Sequence, residues 1–229
     1  MVTDNLQAVL ANIRSVAERA GRDPNEITLI GVTKFADVSA VNEAIRAGLA
    51  HIAENKVQLA AEKFSRIDTA GKSVTKHMIG HLQTNKAKDA VQLFDMIQSV
   101  DSPKLADEID KRAAAAGKIM DILVQVDVAK EEQKFGVAEE ELAALLEHLA
   151  GKANVRTQGL MVMAPLTEDL AVIRSVFRRG REIFEGLKSG RSASPNMAMR
   201  YLSMGMSHDY EIAIEEGANM VRIGTAIFK

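Results

Sequence analysis

Residues 27–48 read ITLIGVTKFADVSAVNEAIRAG: an apolar, β-branched run, a lysine, and a helical stretch over 38–47 that Gly48 closes. Lys34 stands at the mouth of the strand, where its ammonium must be solvated or paired. Strand alternation puts Thr28, Ile30, Val32 and Lys34 on one face and Leu29 and Gly31 on the other, where a helix can pack closely. A strand that feeds a helix in this way is half of a βαβ unit.

The unit repeats. Strand-like runs fall at 27–34, about 50–53, 74–79, 96–100, 119–128, 155–161, 200–204 and 219–223. Helical stretches fall at 38–47, 56–67, 102–116, 138–149, 168–187 and 208–216, and Gly21, Gly48, Gly117, Gly151 and Gly217 stand where a helix-ending residue belongs. Eight strands alternating with helices in 229 residues predict an α/β fold, a single-domain TIM-type (β/α)8 barrel over residues 1–229. A doubly wound open sheet is the alternative, weakened by the lack of a strand–GxGxxG–helix signature. The N-terminal MVTDNLQAVLANIRSVAERAG reads as an extra amphipathic helix with Leu6, Leu10, Ile13, Ala17 and Ala20 at helical spacing, not as a signal peptide. GLKSGRSASPNMAM, 186–199, reads as a surface loop.

Composition narrows the function. The chain carries 29 Lys plus Arg against 31 Asp plus Glu and only 4% aromatic residues, which argues against a nucleic-acid surface. Cysteine is absent, so disulfides, thiolate metal sites and a cysteine nucleophile are excluded. No run approaches the roughly 18 apolar residues of a membrane span. A cytoplasmic protein without a membrane partner is expected. His77 and His81, four residues apart on an extended run, would lie roughly 13 Å from each other, too far to share one metal. The 11 methionines read as core filling.

In a barrel, Lys34 points inward at the C-terminal end of the first strand, where barrel active sites lie. A buried lysine amine can condense with a carbonyl to a Schiff base. The plainer alternatives are a lysine at the rim or one paired with a carboxylate such as Glu54. The loops after strands seven and eight are the usual phosphate site of this fold. There Ser207 stands at a helix N-cap position, and Gly224 and Thr225 offer a bare backbone and a hydroxyl. Met220 and Arg222 share one face of the last strand and Val221 and Ile223 the other. An inward Arg222 can pair an anion, hydrogen-bond a ring nitrogen, or serve a buried carboxylate.

GVTKFADV (31–38), AENKVQ (53–58), HMIGHLQTNK (77–86), GLMVMAP (159–165) and above all LSMGMSHDYEIAIEEGANMVRIGTAIF (202–228) resemble the pyridoxal phosphate homeostasis proteins of the YggS type. These are relatives of the alanine racemase barrel and of fold-type III decarboxylases. The resemblance implies that Lys34 carries pyridoxal 5′-phosphate as a Schiff base and that Ser207, Gly224 and Thr225, with Ser203 nearby, cup its phosphate. It implies that Arg222 faces the pyridine nitrogen and that Asn55 lies beside the cofactor. His77, Asn85 and Lys86 belong to the family motif without an assigned role.

Three departures stand out. Ile52-Ala53 precede Glu54 where Phe-Gly is common, VDVAKEEQKFGV (126–137) keeps Lys134 and Gly136 but is more charged than usual, and the chain stops at Lys229 where relatives often continue.

An arginine opposite the ring nitrogen disfavours its protonation and weakens the ring as an electron sink, which argues against transamination. Racemisation needs an acid/base on each face of the substrate carbon. Lys34 supplies one, and the only tyrosines, Tyr201 and Tyr210, offer no obvious second. The expected function is therefore intracellular pyridoxal phosphate homeostasis by reversible binding, with cofactor-dependent client enzymes as partners and a monomer or weak dimer as the assembly. A fold-type III amino-acid racemase is the alternative, and a Schiff-base aldolase on a sugar phosphate a third reading.

Overall fold

The structure is a computed structural model that describes residues 1–129, 135–190 and 194–229. Its strands are β1 (Thr28–Val32), β2 (His51–Glu54), β3 (Thr75–Met78), β4 (Met96–Val100), β5 (Met120–Asp127), β6 (Val137–Ala138), β7 (Val155–Val162), β8 (Met197–Ser203) and β9 (Met220–Ile223). They pair in parallel in the order β4-β3-β2-β1-β9-β8-β7-β5, and a β4–β5 pairing closes the ring. The expected eight-stranded TIM-type barrel is the fold. The two-residue β6 pairs only with the C-terminal end of β5, Val126 opposite Val137.

Helices cover the barrel: α1 (Val2–Arg19), α2 (Val38–Arg46), α3 (Val57–Phe64), α4 (Ala87–Leu93), α5 (Pro103–Ala115), α6 (Leu142–Ala150), α7 (Leu170–Ser189), α8 (Tyr210–Glu215) and α9 (Thr225–Phe228). Two apolar shells follow from strand alternation. Ile52, Met78, Ile97, Val221 and Ile223 face the helices, whereas Ile30, Val32, Ala53, Met96, Leu123, Met161 and Met220 fill the interior. Methionine suits that interior because its unbranched thioether fills irregular gaps. Leu29 joins the outer shell, and the bare Gly31 lies against the Leu49 side chain.

The N-terminal helix forms as expected, but its buried stripe is Leu6, Val9, Ile13, Val16 and Ala17, with Leu10 on the exposed side. It packs beside α8 and α9, where Asn12 Nδ2 donates to Tyr210 Oη at 2.6 Å and Arg22 Nη1 donates to the Ala218 carbonyl at 2.6 Å. Gly21, Gly48, Gly117 and Gly217 end their helices at positive φ, whereas Gly151 caps α6 with an ordinary φ of −82°.

Two expected boundaries shift. The 186–199 segment is not loop throughout: α7 runs to Ser189 and β8 begins at Met197, with 191–193 outside the described residues. Pro195 and the surrounding Ser and Gly hide the start of a strand whose first five residues are half-buried or exposed. The helix expected over 208–216 spans only Tyr210–Glu215, and its N-cap is Asp209. Short α4 and α9 complete the set.

Candidate functional site

The loop after β1 is fixed on both flanks of Lys34. On one side the buried Thr33 donates its backbone N–H to the Ala53 carbonyl at 2.9 Å and its hydroxyl to Glu54 Oε1 at 2.7 Å. On the other, Asp37 Oδ1 accepts from the Ala40 N–H at 2.8 Å and starts α2, which keeps the loop short. Glu54 takes Lys63 Nζ at 2.6 Å as its ionic partner, and Lys63 also donates to the Thr33 carbonyl. The carboxylate considered for Lys34 is thus committed elsewhere. Lys34 itself is exposed at the barrel mouth and not buried, with Nζ 5.2 Å from the Phe35 ring centroid, and it forms no ion pair among the described residues.

Lys34 borders a cavity of about 180 Å³ at the C-terminal ends of the strands, together with Ser207, Arg222, Gly224 and Thr225. Val32, Ile79 and Met206 supply apolar wall, and His208 stands at the edge. Strand parity accounts for Arg222: β9 is four residues long, Met220 and Arg222 face in, and Val221 and Ile223 face the helices. Arg222 is fully buried. Its Nη1 donates to Ser203 Oγ at 2.7 Å and its Nη2 to the Val162 carbonyl at 3.1 Å. Burial pushes its pKa down to about 10, with the Asp209 carboxylate opposing the shift, so it stays a cation at neutral pH.

Ser207 Oγ accepts the Gly224 N–H at 3.2 Å, which joins the loops after β8 and β9. Ser207 is a turn residue and not the N-cap of α8; Asp209 holds that place, and its Oδ1 accepts the Met206 N–H at 2.5 Å. A Cβ on Gly224 would stand 3.1 Å from the Val32 carbonyl oxygen, so the close approach of the two strand ends under the cavity depends on the bare glycine. One cavity therefore offers a primary amine, a hydroxyl, a guanidinium and bare backbone, and no carboxylate among its described lining residues. That donor set fits an aldehyde carrying an anionic group and a ring acceptor.

Ser203 does not reach the cavity. It lies below Arg222, where its hydroxyl also donates to Gln98 Oε1 at 2.7 Å. Asn55 borders a neighbouring cavity of about 370 Å³ with Gly80, His81 and Lys86. Its backbone meets Gly80, where a Cβ would stand 2.2 Å from the Asn55 carbonyl oxygen. Lys134 lies outside the described residues. His77 and His81 are apart: His77 is buried in the barrel, whereas His81 stacks on Phe135 with ring centroids 3.7 Å apart.

Sequence reasoning passed over His208, which immediately follows Ser207, and the buried Gln98. The signal for Gln98 was a lone amide on the inward parity of the apolar strand Met96–Val100.

The family described as "Alanine racemase, N-terminal domain" matches residues 5–229. A pyridoxal phosphate homeostasis protein of Aquifex aeolicus is 40% identical over 225 residues, covering 98% of this chain and 96% of the relative. The structure of PipY of Synechococcus elongatus with pyridoxal phosphate bound superposes with a TM-score of 0.85 at 34% identity, with 100% of both chains covered. Alanine racemase of Clostridium difficile shares the fold alone, with a TM-score of 0.75 at 16% identity over 98% of this chain and 56% of that one. Among the described residues no helix is long and apolar enough to cross a membrane. On these similarities the chain belongs to the family of the pyridoxal phosphate homeostasis proteins, built on the alanine racemase N-terminal barrel.

Proposed function

We propose that this protein binds pyridoxal 5′-phosphate reversibly and so limits the free aldehyde, with residues 1–229 acting as one cofactor-binding barrel. The observation that carries the reading is the convergence of Lys34, Ser207, Arg222, Gly224 and Thr225 on one cavity without a lining carboxylate. When bound, the cofactor supplies an electrophilic aldehyde and a ring whose electron demand follows the protonation of its nitrogen. Lys34 would be the residue that holds the cofactor's aldehyde, through its primary amine and with loss of water. Water reverses the step, which suits a protein that holds the cofactor and gives it up. Ser207 and the Gly224–Thr225 backbone would receive the phosphate, and Arg222 would offer an N–H to the ring nitrogen and disfavour its protonation. Asn55 borders a different cavity, and no contact with the cofactor is assigned to it.

Holding is favoured over turnover by where the tyrosines lie. Tyr201 packs against the barrel interior, and Tyr210 is buried with its oxygen bonded by Asn12, so neither borders the cavity. Racemisation would need an acid/base opposite Lys34, a place that no tyrosine fills; His208 stands at the cavity edge.

Titration of the purified chain with pyridoxal phosphate tests the reading. A visible absorbance band that saturates at one cofactor per chain, and is absent in Lys34→Ala, is the expected result. An unaltered band in Lys34→Ala, or racemisation of an amino acid at an enzyme-like rate lost in that variant, overturns it.

A further inference from the structure

A line of polar side chains runs through the barrel interior below the cofactor cavity. From the Arg222–Ser203–Gln98 bonds it continues to Gln98 Nε2, 3.1 Å from His77 Nδ1, and to His77 Nε2, 3.0 Å from His51 Nδ1. Ser203, Gln98, His77 and Arg222 are all buried. His51 is half-buried at the opposite, N-terminal end of β2, on a cavity it shares with Leu6, Leu29 and Leu49. The line therefore joins the two ends of the barrel.

Donor chemistry gives the line one direction. A guanidinium only donates, so Ser203 Oγ accepts from Arg222 and sends its own proton to Gln98 Oε1. Gln98 then has only its amide N–H to offer His77, whose Nδ1 must accept. Burial and the neighbouring His51 push the His77 pKa down to about 3, so the ring is neutral and its proton sits on Nε2. That proton is donated to His51 Nδ1. Hydrogen bonds aligned head to tail polarise one another.

We propose that Gln98 and His77 are positioning residues for Arg222: acting through Ser203, they fix the rotation of the guanidinium and hence its contact with the cofactor's ring nitrogen. The proposal rests on the cofactor reading given above. Its physical basis is that the side-chain hydrogen bonds of Arg222 go to two neutral acceptors, the Val162 carbonyl and the Ser203 hydroxyl. Of these only the hydroxyl can rotate, and Gln98 sets which way it points.

Two measurements test it on the full-length chain. In cofactor-free protein labelled with ¹⁵N-histidine, ring nitrogen shifts at neutral pH are expected to show His77 protonated on Nε2. A proton on Nδ1 overturns the donor order. With pyridoxal phosphate added, Gln98→Met, similar in length but with only a weak thioether acceptor, is expected to bind about tenfold more weakly and to shift the visible band, since a hydrogen bond to a charged group is disturbed. Gln98→Glu, which keeps an acceptor for Ser203, is expected to restore affinity to within about threefold of native. A folded Gln98→Met variant with native affinity and an unmoved band overturns the positioning role and leaves the cofactor reading intact. A native chain without any band overturns the cofactor reading itself. Should Gln98→Met not fold, the His77 tautomer in the native chain decides.

Discussion

Arg222 is the residue whose position is hardest to justify by stability alone. It is a fully buried cation with neutral hydrogen-bond partners, and burial already lowers its pKa to about 10. Burying a charge without a hydrogen-bonded counter-charge is costly, so an apolar side chain of similar volume removes a penalty that offsets the two hydrogen bonds it gives up. Arg222→Met is therefore expected to leave the denaturation midpoint unchanged or raised while pyridoxal phosphate affinity falls by about tenfold or more. Chemical denaturation and cofactor titration of the same sample check both halves. A strongly destabilised variant would make Arg222 a structural residue. Arg222 was legible from strand parity, because it lies on the inward face of a short strand whose outward neighbours are apolar, and the same parity extended past Val32 brought Lys34, in the loop after β1, to the barrel mouth. The partners of Arg222 were not legible. Ser203 meets Gln98 across 105 residues of sequence and Gln98 meets His77 across 21, and no local spacing encodes such contacts.

At the scale of elements, the placement of Lys34 depends on how α3 is tied to the ends of β1 and β2. Lys63 of α3 reaches Glu54 and the Thr33 carbonyl together, and Glu54 is fully buried, its Oε2 without a hydrogen-bond partner among the described residues. Lys63→Met would leave that carboxylate buried and uncompensated, at a cost of about 3 kcal/mol. The double variant Lys63→Met/Glu54→Gln is expected to recover most of it. Thermal or urea unfolding of the single and double variants measures the difference, and equal stabilities would contradict the pairing. The alternation of strand and helix was readable over most of the barrel, where most helices carry a capping residue or a terminal glycine, but the short α4, α9 and β6 span too few residues to show a period. The start of β8 was read as loop, because Met197, Ala198 and Met199 directly follow the Ser194–Pro195–Asn196 turn and none of them is fully buried.

For the molecule as a whole, the buried histidines link stability to pH. His77 has an ordinary value of 6.5 and titrates at about 3 in the fold, first because of burial and then because of His51. Between those values the unfolded chain binds a proton that the folded chain does not. Stability is accordingly full above pH 6.5 and falls as pH drops toward 3, with a slope approaching ~1.4 kcal/mol per pH unit from this group. His51, also lowered by burial, acts in the same direction. Urea unfolding at a series of pH values from 7 to 5 is expected to show the slope, and His77→Gln to flatten it. An unchanged slope in that variant would assign the acid sensitivity elsewhere.

The barrel closes eight strands so that residues from its first and last strands meet at one mouth, and the whole functional reading depends on Lys34 being the amine that holds the cofactor there. Borohydride reduction of the chain loaded with pyridoxal phosphate, followed by peptide mass mapping, examines that directly. The expected result is one reduced pyridoxyl-phosphate adduct, on the peptide that contains Lys34, and none there in Lys34→Ala. An adduct confined to another lysine, or no adduct in a chain that shows saturable cofactor binding, would contradict it.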